Sequence, residues 1–553
     1  MRLAFLLPFI RTEEHPLFGP PLSMPTLVGG VKNAFPNVHF EQIDLSKELE
    51  VAVSIGKIDK NNFLKQVNNI EQLVNIKSDK EMLSSFHPRQ MTDNRYRTDC
   101  YIPTKEDMNK FKFFLAEIVE YANLDKFDHY FFSVYKINEP DVAAAFLLAR
   151  FLKQRNKDKK IIFGGMRNFS FQLAKKAGRL DFIDALVIGD GVNSVKEIIH
   201  KLKKNQDIDK TYRIPCSPKE VISFPDYKSF RNLDKFGFKG IDLEKVYNFK
   251  IAKRKSKKLL FIPYKFSLGC FWSKCSYCGQ SASYFFKNKK PKFYTKSVKE
   301  IISDLLKLKE TCQTNFFIFY NNNFNSSLEF SKKLLKAFIK NKIDIIWTDS
   351  FNPILLDDEM IDLLAESGCI RADIGIDTFN NKLQKFYHNI LQDDIYLKNL
   401  EKISRKGIWV DINLIANLPY CYSSETDLKY LKKFSPYIDG ITINSYRTYS
   451  SELTEKSDQY GLIKIDERAL IGKKTAPMYF IEDSFKDSIE KRKKLFARNY
   501  LDLVDFVMKN KILYNQKHFY LLGYLYSCFG LGQKKIIKEY MLKANGQMEN
   551  NEV

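Results

Sequence analysis

The chain predicts an α/β protein in two parts, a doubly wound parallel sheet followed by a partial parallel β/α barrel, with a helical region after them. Three observations carry this. Short apolar runs alternate with helix-length amphipathic segments through residues 1–204, the pattern of parallel strands joined by crossover helices. The alternation resumes through residues 256–455 with six more apolar runs, which suits a partial barrel. A length of 553 residues exceeds one ordinary core and fits about three domains.

In the first part, residues 2–8 read as a strand, 24–34 as a helix and 38–44 as a second strand. A polar, Asn- and Lys-rich stretch at about 45–127, helical in places and above all over 107–123, then interrupts the sheet. It is too long for a bare loop and is expected to form a cap or a partner surface. The alternation continues with a strand at 129–135, a helix at 141–154, a strand at 160–165, a helix near 169–177, a strand at 185–188 and a helix at 193–203. Doubly wound sheets bind ligands at the carboxyl ends of their strands. There stand Ser133, the pair Gly164-Gly165 and the run Gly189-Asp190-Gly191, and glycine permits close approach of backbone to a bulky ligand.

A charged linker is expected at about 205–255, then barrel strands at 264–268, 315–320, 344–347, 369–376, 408–415 and 440–445. Such a barrel places its site at the carboxyl ends of its strands. Residues 456–553, with helical runs at 485–509 and 519–542, are expected to form a helical cap on the barrel mouth.

The most telling segment is Gly-Cys-Phe-Trp-Ser-Lys-Cys-Ser-Tyr-Cys-Gly at 269–279, which directly follows the apolar run 259–268. Cys270, Cys275 and Cys278 supply three thiolates, one short of closing a tetrahedral metal site. A structural zinc knuckle wants a fourth Cys or His nearby. The flanking cysteines are Cys216 and Cys312, and no histidine lies between His200 and His388. Soft thiolates suit iron–sulfur clusters, and a missing fourth ligand leaves one iron open.

At these residues the chain resembles the radical S-adenosylmethionine (SAM) enzymes, in which three cysteines hold a [4Fe-4S] cluster and the fourth iron takes the amino and carboxylate groups of SAM. The family usually places three residues in the first gap. Here there are four, Phe271 to Lys274, while Ser276-Tyr277 fills the second gap and Tyr277 provides the family's aromatic. The resemblance extends to Ile374-Gly375-Ile376-Asp377-Thr378, similar to the family's Gly-Ile-Glu-Ser strand end. It extends also to Asn413-Leu414-Ile415-Ala416-Asn417-Leu418-Pro419 followed by Glu425-Thr426, similar to its fifth-strand Gly-x-Pro-x-Glu-Thr element. It implies that Tyr277 lies beside the adenine, that Gly279 belongs to the cofactor site, that Asp377 orients SAM without affecting the cluster, that Asn413 and Ile415 line the adenine and ribose, and that the run Asn321-Asn322-Asn323 reaches the methionyl end, with Asn322 as its cofactor-binding residue.

The first part resembles the cobalamin-binding, Rossmann-like domain that precedes the barrel in one large subclass, through Phe163-Gly164-Gly165 and Gly189-Asp190-Gly191, the latter like that subclass's Gly-Glu-Gly. The resemblance implies cobalamin bound at Ser133, Gly164, Gly165, Gly189, Asp190 and Gly191. No Asp-x-His-x-x-Gly loop occurs, so cobalt would lack a protein histidine. The implied activity is C-methylation of an unactivated carbon. The same parts also serve rearrangement, epimerisation or cyclisation without methyl transfer, or a cluster protein that senses SAM. The N-terminal cysteine triplet of methylthiotransferases is missing, since only Cys100 and Cys216 precede Cys270.

A formal charge of +23 invites a nucleic-acid reading. Lysines such as Lys157, Lys159 and Lys160, or Lys287, Lys289 and Lys290, stand in polar connections instead, and no nucleic-acid motif interleaves basic and aromatic residues in a recognised order. The expected partners are a peptide or small-molecule substrate, a ribosomal peptide first among them, and a reductant of flavodoxin or ferredoxin type. No apolar stretch reaches membrane-span length, residues 1–8 read as a buried strand rather than a signal peptide, and scattered cysteines suit a reduced, cytoplasmic setting.

Overall fold

The computed structural model describes residues 1–10, 20–74, 102–134, 140–165, 180–255, 258–278, 293–389, 395–416, 418–444, 452–466, 478–485, 488–514 and 519–547. The chain divides into two compact units, with the boundary between Phe236 and Gly237. The boundary falls within the stretch expected as a linker.

The first unit holds six strands, β1 (Arg2–Leu7), β2 (His39–Asp44), β3 (His129–Val134), β4 (Ile161–Gly165), β5 (Ala185–Val187) and β6 (Thr211–Tyr212). They form one sheet in the order β2-β1-β3-β4-β5-β6, every neighbouring pair parallel. The order reverses at β1, which makes the doubly wound fold the alternation predicted. Strand β6 was not foreseen, because a Thr-Tyr pair carries no periodicity. The expected helix near 169–177 lies outside the described residues.

The described helices of the stretch at 45–127 depart from expectation. Its helices Leu45–Ser54 and Lys105–Tyr121 complete the core rather than cap it. Phe111, Phe114, Leu115, Ile118 and Val119 share one buried cluster with Ala4, Leu6, Tyr130, Phe132 and Phe163 of the sheet. Their spacing is an apolar helix stripe, hidden in the sequence by the lysines and acids on the opposite face. Both helices carry side-chain caps, from Asp44 and from the Thr104–Asp107 capping box, which satisfy amides otherwise unpaired at a helix start.

The second unit is built on a seven-stranded parallel sheet. Its strands are β7 (Phe261–Tyr264), then, beyond a hairpin of β8 (Ser267–Gly269) with β9 (Phe293–Thr295), β10 (Phe316–Phe319), β11 (Ile346–Phe351), β12 (Cys369–Asp377), β13 (Trp409–Ile415) and β14 (Gly440–Asn444). A separate antiparallel pair follows, β15 (Leu462–Asp466) with β16 (Met478–Glu482), and β17 (Leu513–Tyr514) closes the series. The sheet order is β17-β14-β13-β12-β11-β10-β7. The strand expected at 264–268 is thus two strands. The Asn321 side-chain carbonyl accepts from the amides of Phe266 and Ser267 at 3.2 and 2.9 Å, turning the chain out of the barrel ladder.

Of the C-terminal region expected to cap the mouth, the helix Ile489–Lys509 bonds the loop after β13 through Arg492 to Leu418 and Asn499 to Cys421, whereas the helices Phe519–Phe529 and Lys534–Ala544 correct the expectation. They pack under the amino ends of the strands, at the end opposite the mouth. Leu521, Leu522, Tyr524 and Leu525 share a buried cluster with Phe261, Phe316, Ile370, Trp409 and Leu513. A methyl at Gly523 would stand 2.2 Å from the Phe261 ring, so glycine allows this close approach. Among the described residues no helix is long and apolar enough to cross a membrane.

Candidate functional site

The cysteine loop leaves β8 at Gly269, at the carboxyl end of the barrel strands. Three consecutive asparagines after β10 hold it. Asn321 is buried, fixes Phe266 and Ser267, and donates to Asp349 at 2.6 Å. Asn322 accepts from the Gly269 amide at 3.1 Å, and Asn323 donates to the Cys270 sulfur at 3.4 Å. Asp349 itself is driven by burial up to about 8, against the hydrogen bonds it accepts from Asn321 and Ser350.

From the other side the loop is held by β12 and the segment after it. Tyr277 is buried, and its hydroxyl donates to Asp377 at 2.5 Å while accepting from Asn389 at 2.8 Å. The Tyr387 carbonyl accepts from the Ser276 amide at 3.0 Å, and the Tyr387 hydroxyl donates to the Pro419 carbonyl at 2.6 Å. One residue thereby joins the cysteine loop to the loop after β13. The Trp272 indole donates to the His388 carbonyl at 2.7 Å. Burial raises the Asp377 carboxyl despite the Tyr277 donor, and burial, then the Asp377 charge, lifts the phenol well above its usual range. Burial first, then Asp377 and the other two thiols, pushes the Cys275 thiol up. Bound iron, which favours thiolates, would reverse that cost.

One face of β12 and β13 is unusually polar. Arg371 pairs with Asp411 and lies 3.5 Å from Asp373, and Asn413 donates to Asp373 at 2.7 Å. Burial opposes the Arg371 charge, and the two carboxylates outweigh it. Gly375, next in register, is exposed, and a methyl there would meet nothing within 4 Å. The strand end beside it is therefore open. Ile415 packs with Tyr277, Tyr387 and Leu418, alongside Cys275 and Cys278.

In the first unit the expected ligand residues share one sheet edge. Ser133 pairs in register with Gly164, and Val134 with Gly165. Gly189, Asp190 and Gly191 follow β5, the next strand. A methyl at Gly164 would touch only Val187 at 3.5 Å, and one at Gly189 would meet nothing within 4 Å, so this edge has room for a large group. Gly165 serves the backbone instead: its φ is +152° and a methyl would lie 1.8 Å from the Val134 carbonyl oxygen.

The described residues among those singled out from the sequence fall in these two places. Gly279 and Asn417 lie outside the described residues. Asp377 is engaged by Tyr277, and Asn322 by Gly269, so both brace the cysteine loop. Sequence reasoning placed Asn323 at the methionyl end of SAM without its bond to Cys270, and missed Tyr387, Asn389 and the Arg371–Asp373–Asp411 set. The last had a readable signal, since polar residues at every second position of β12 mark a polar strand face. Asn389 had none, because its partner lies 112 positions away.

Among the described residues no three His, Cys, Asp or Glu side chains close on a single metal ion. Three free thiols that share one loop suit a polynuclear cluster, where each thiolate takes a different iron. Residues 264–427 match the family model described as the Radical SAM superfamily. No curated protein matches the chain. Among solved structures, the radical S-adenosylmethionine methyltransferase TsrM from Kitasatospora setae, with cobalamin and a [4Fe-4S] cluster bound, is similar over 99% of both chains, at 13% identity and a TM-score of 0.57. The cobalamin-dependent S-adenosylmethionine radical enzyme OxsB, with aqua-cobalamin and S-adenosylmethionine bound, is similar over 98% of this chain and 78% of its own, at 11% identity and a TM-score of 0.52. Residues 264–427 thus carry a domain that matches the Radical SAM superfamily, and the chain as a whole shares its fold with these two cobalamin-dependent enzymes.

Proposed function

We propose that the chain is a cobalamin-dependent radical SAM methyltransferase acting on an unactivated carbon of a peptide or other natural-product substrate. The observation that carries this is the braced loop of Cys270, Cys275 and Cys278 at the carboxyl ends of the barrel strands, in a chain whose other unit is an open-edged doubly wound sheet. When bound, the cluster supplies an electron for cleaving SAM, and cobalamin supplies a transferable methyl group.

Cys270, Cys275 and Cys278 would hold the cluster, and the iron without a cysteine would be open to SAM. Asn322 and Asn323 fix the start of that loop, and Tyr277 with Asp377 and Asn389 fixes its end. Gly375, Asn413 and Ile415 border the opening where the adenosyl group would lie. Ser133, Gly164, Gly189, Asp190 and Gly191 form the edge that receives cobalamin, with Gly165 keeping β4 against β3. The electron comes from a donor of flavodoxin or ferredoxin type.

The test is anaerobic reconstitution with iron, sulfide and hydroxocobalamin, followed by reductant, SAM carrying a deuterated methyl group, and peptides encoded by neighbouring genes. Deoxyadenosine release together with labelled product supports the reading. Deoxyadenosine release by protein that retains no cobalamin would move the function to hydrogen abstraction without methyl transfer. SAM binding without turnover would make the chain a sensor.

A further inference from the structure

We infer that Asn323 sets the reduction potential of the cluster site by donating its side-chain amide to the sulfur of Cys270; this rests on the cluster reading above. The Nδ2 to Sγ distance is 3.4 Å, an ordinary length for a donor on sulfur. The other asparagines of the run do different work, Asn321 on the β7–β8 turn and Asn322 on a backbone amide. Of the three asparagines, Asn323 is the one that addresses a ligand atom directly.

The donor is held in place before any cluster arrives. Asn321 is anchored to Asp349, the Asn323 carbonyl accepts from the Ser326 hydroxyl at 3.1 Å, and the Phe324 amide donates to the Ser350 carbonyl at 2.8 Å. Asn325 donates to the carbonyls of Asn352 and Leu355, each at 2.7 Å. The turn carrying Asn323 is therefore pinned on both sides to the region of β11. On the sulfur side, the Gly269 amide is pinned by Asn322 and the Ser273 hydroxyl donates to the Cys270 carbonyl. Neither partner can swing away cheaply.

A hydrogen bond to a cluster thiolate withdraws electron density and favours the more negative, reduced state, so it raises the potential. Asn323 thereby makes one-electron reduction by a flavodoxin- or ferredoxin-type donor easier. A residue that only supported the fold would change cluster content or stability and leave the potential where it was.

The experiment is an EPR-monitored potentiometric titration of reconstituted protein, comparing the unaltered chain with Asn323→Leu, close in size but without a donor, and Asn323→Asp, which places a carboxylate on the sulfur. The expected result is full iron content with a midpoint shifted negative in the Leu variant and further negative in the Asp variant. An unchanged midpoint in an iron-replete Leu variant overturns the inference. Should that variant lose its iron, the unaltered protein decides: asparagine labelled with 15N at the side-chain amide should give a 15N coupling in pulsed EPR of the reduced cluster, and its absence overturns the inference equally. If the unaltered protein assembles no cluster at all, the functional reading falls, and this inference with it.

Discussion

Both units present the carboxyl ends of a parallel sheet, yet they are finished in opposite ways. At the edge of β3, β4 and β5 the surface is mostly backbone, with glycines at 164, 165, 189 and 191 and room above two of them. At the mouth of the barrel the surface is cross-braced side chains: Asn321 to Asn323 on one side of the cysteines, Tyr277, Asp377, Tyr387 and Asn389 on the other. A large group laid on a sheet edge needs space and shape. Ligating atoms need fixed positions, and fixed positions need supporting hydrogen bonds.

The comparison breaks most visibly if the cysteines are removed. Replacing Cys270, Cys275 and Cys278 together by Ala should abolish the brown colour, the iron content and SAM cleavage after anaerobic reconstitution, while cobalamin retention persists. Iron analysis of the purified variant is the check, and a full complement of iron would contradict the cluster assignment.

The glycine edge should separate space from conformation. Gly164→Leu is expected to abolish retention of cobalamin on gel filtration with little change in the thermal midpoint, because a Cβ there makes only ordinary contact with Val187, at 3.5 Å. Gly165→Ala should instead cost stability, about 1–3 kcal/mol in denaturant unfolding, since its methyl strikes the Val134 carbonyl and its φ is one that L residues avoid. Cobalamin held normally by Gly164→Leu would show that the group does not sit on this edge.

A smaller effect sharpens the picture of the braced mouth. Asp377→Ala leaves the buried Tyr277 hydroxyl without its acceptor, a loss of about 1–3 kcal/mol. It should therefore lower iron retention and SAM affinity together, and Tyr277→Phe should reproduce the loss of iron. Normal iron content with weakened SAM binding in Asp377→Ala would place the carboxylate against SAM itself.

Legibility in the sequence followed periodicity. Strands such as β1, β3, β12 and β13 are long apolar or alternating runs and were readable within a few residues of their ends. The cysteine triplet was readable because its ligands lie within nine positions, Cys270 to Cys278. The two-residue strands β6 and β17 were not, nor was the break between β7 and β8, which is made by Asn321 from 54 positions away in sequence. The helix Lys105–Tyr121 was visible as a helix, but its membership of the first core depends on which sheet face lay free to receive it.

By itself, then, the sequence determined the succession of strands and helices and the chemistry on offer, because both depend on neighbouring residues: side-chain period, thiolate softness, glycine freedom. Only the tertiary structure decided what each polar residue is for. Asp377 and Asn322 are read from their motifs as groups facing SAM, and folding adds Tyr277 and Gly269 as partners, 100 and 53 positions distant. The C-terminal helices were equally undetermined, since an apolar helix face packs on whichever end of a barrel offers matching surface. Here that was the ring of Phe261, Phe316 and Trp409 at the amino ends, which leaves the carboxyl ends, with their cysteines, for chemistry.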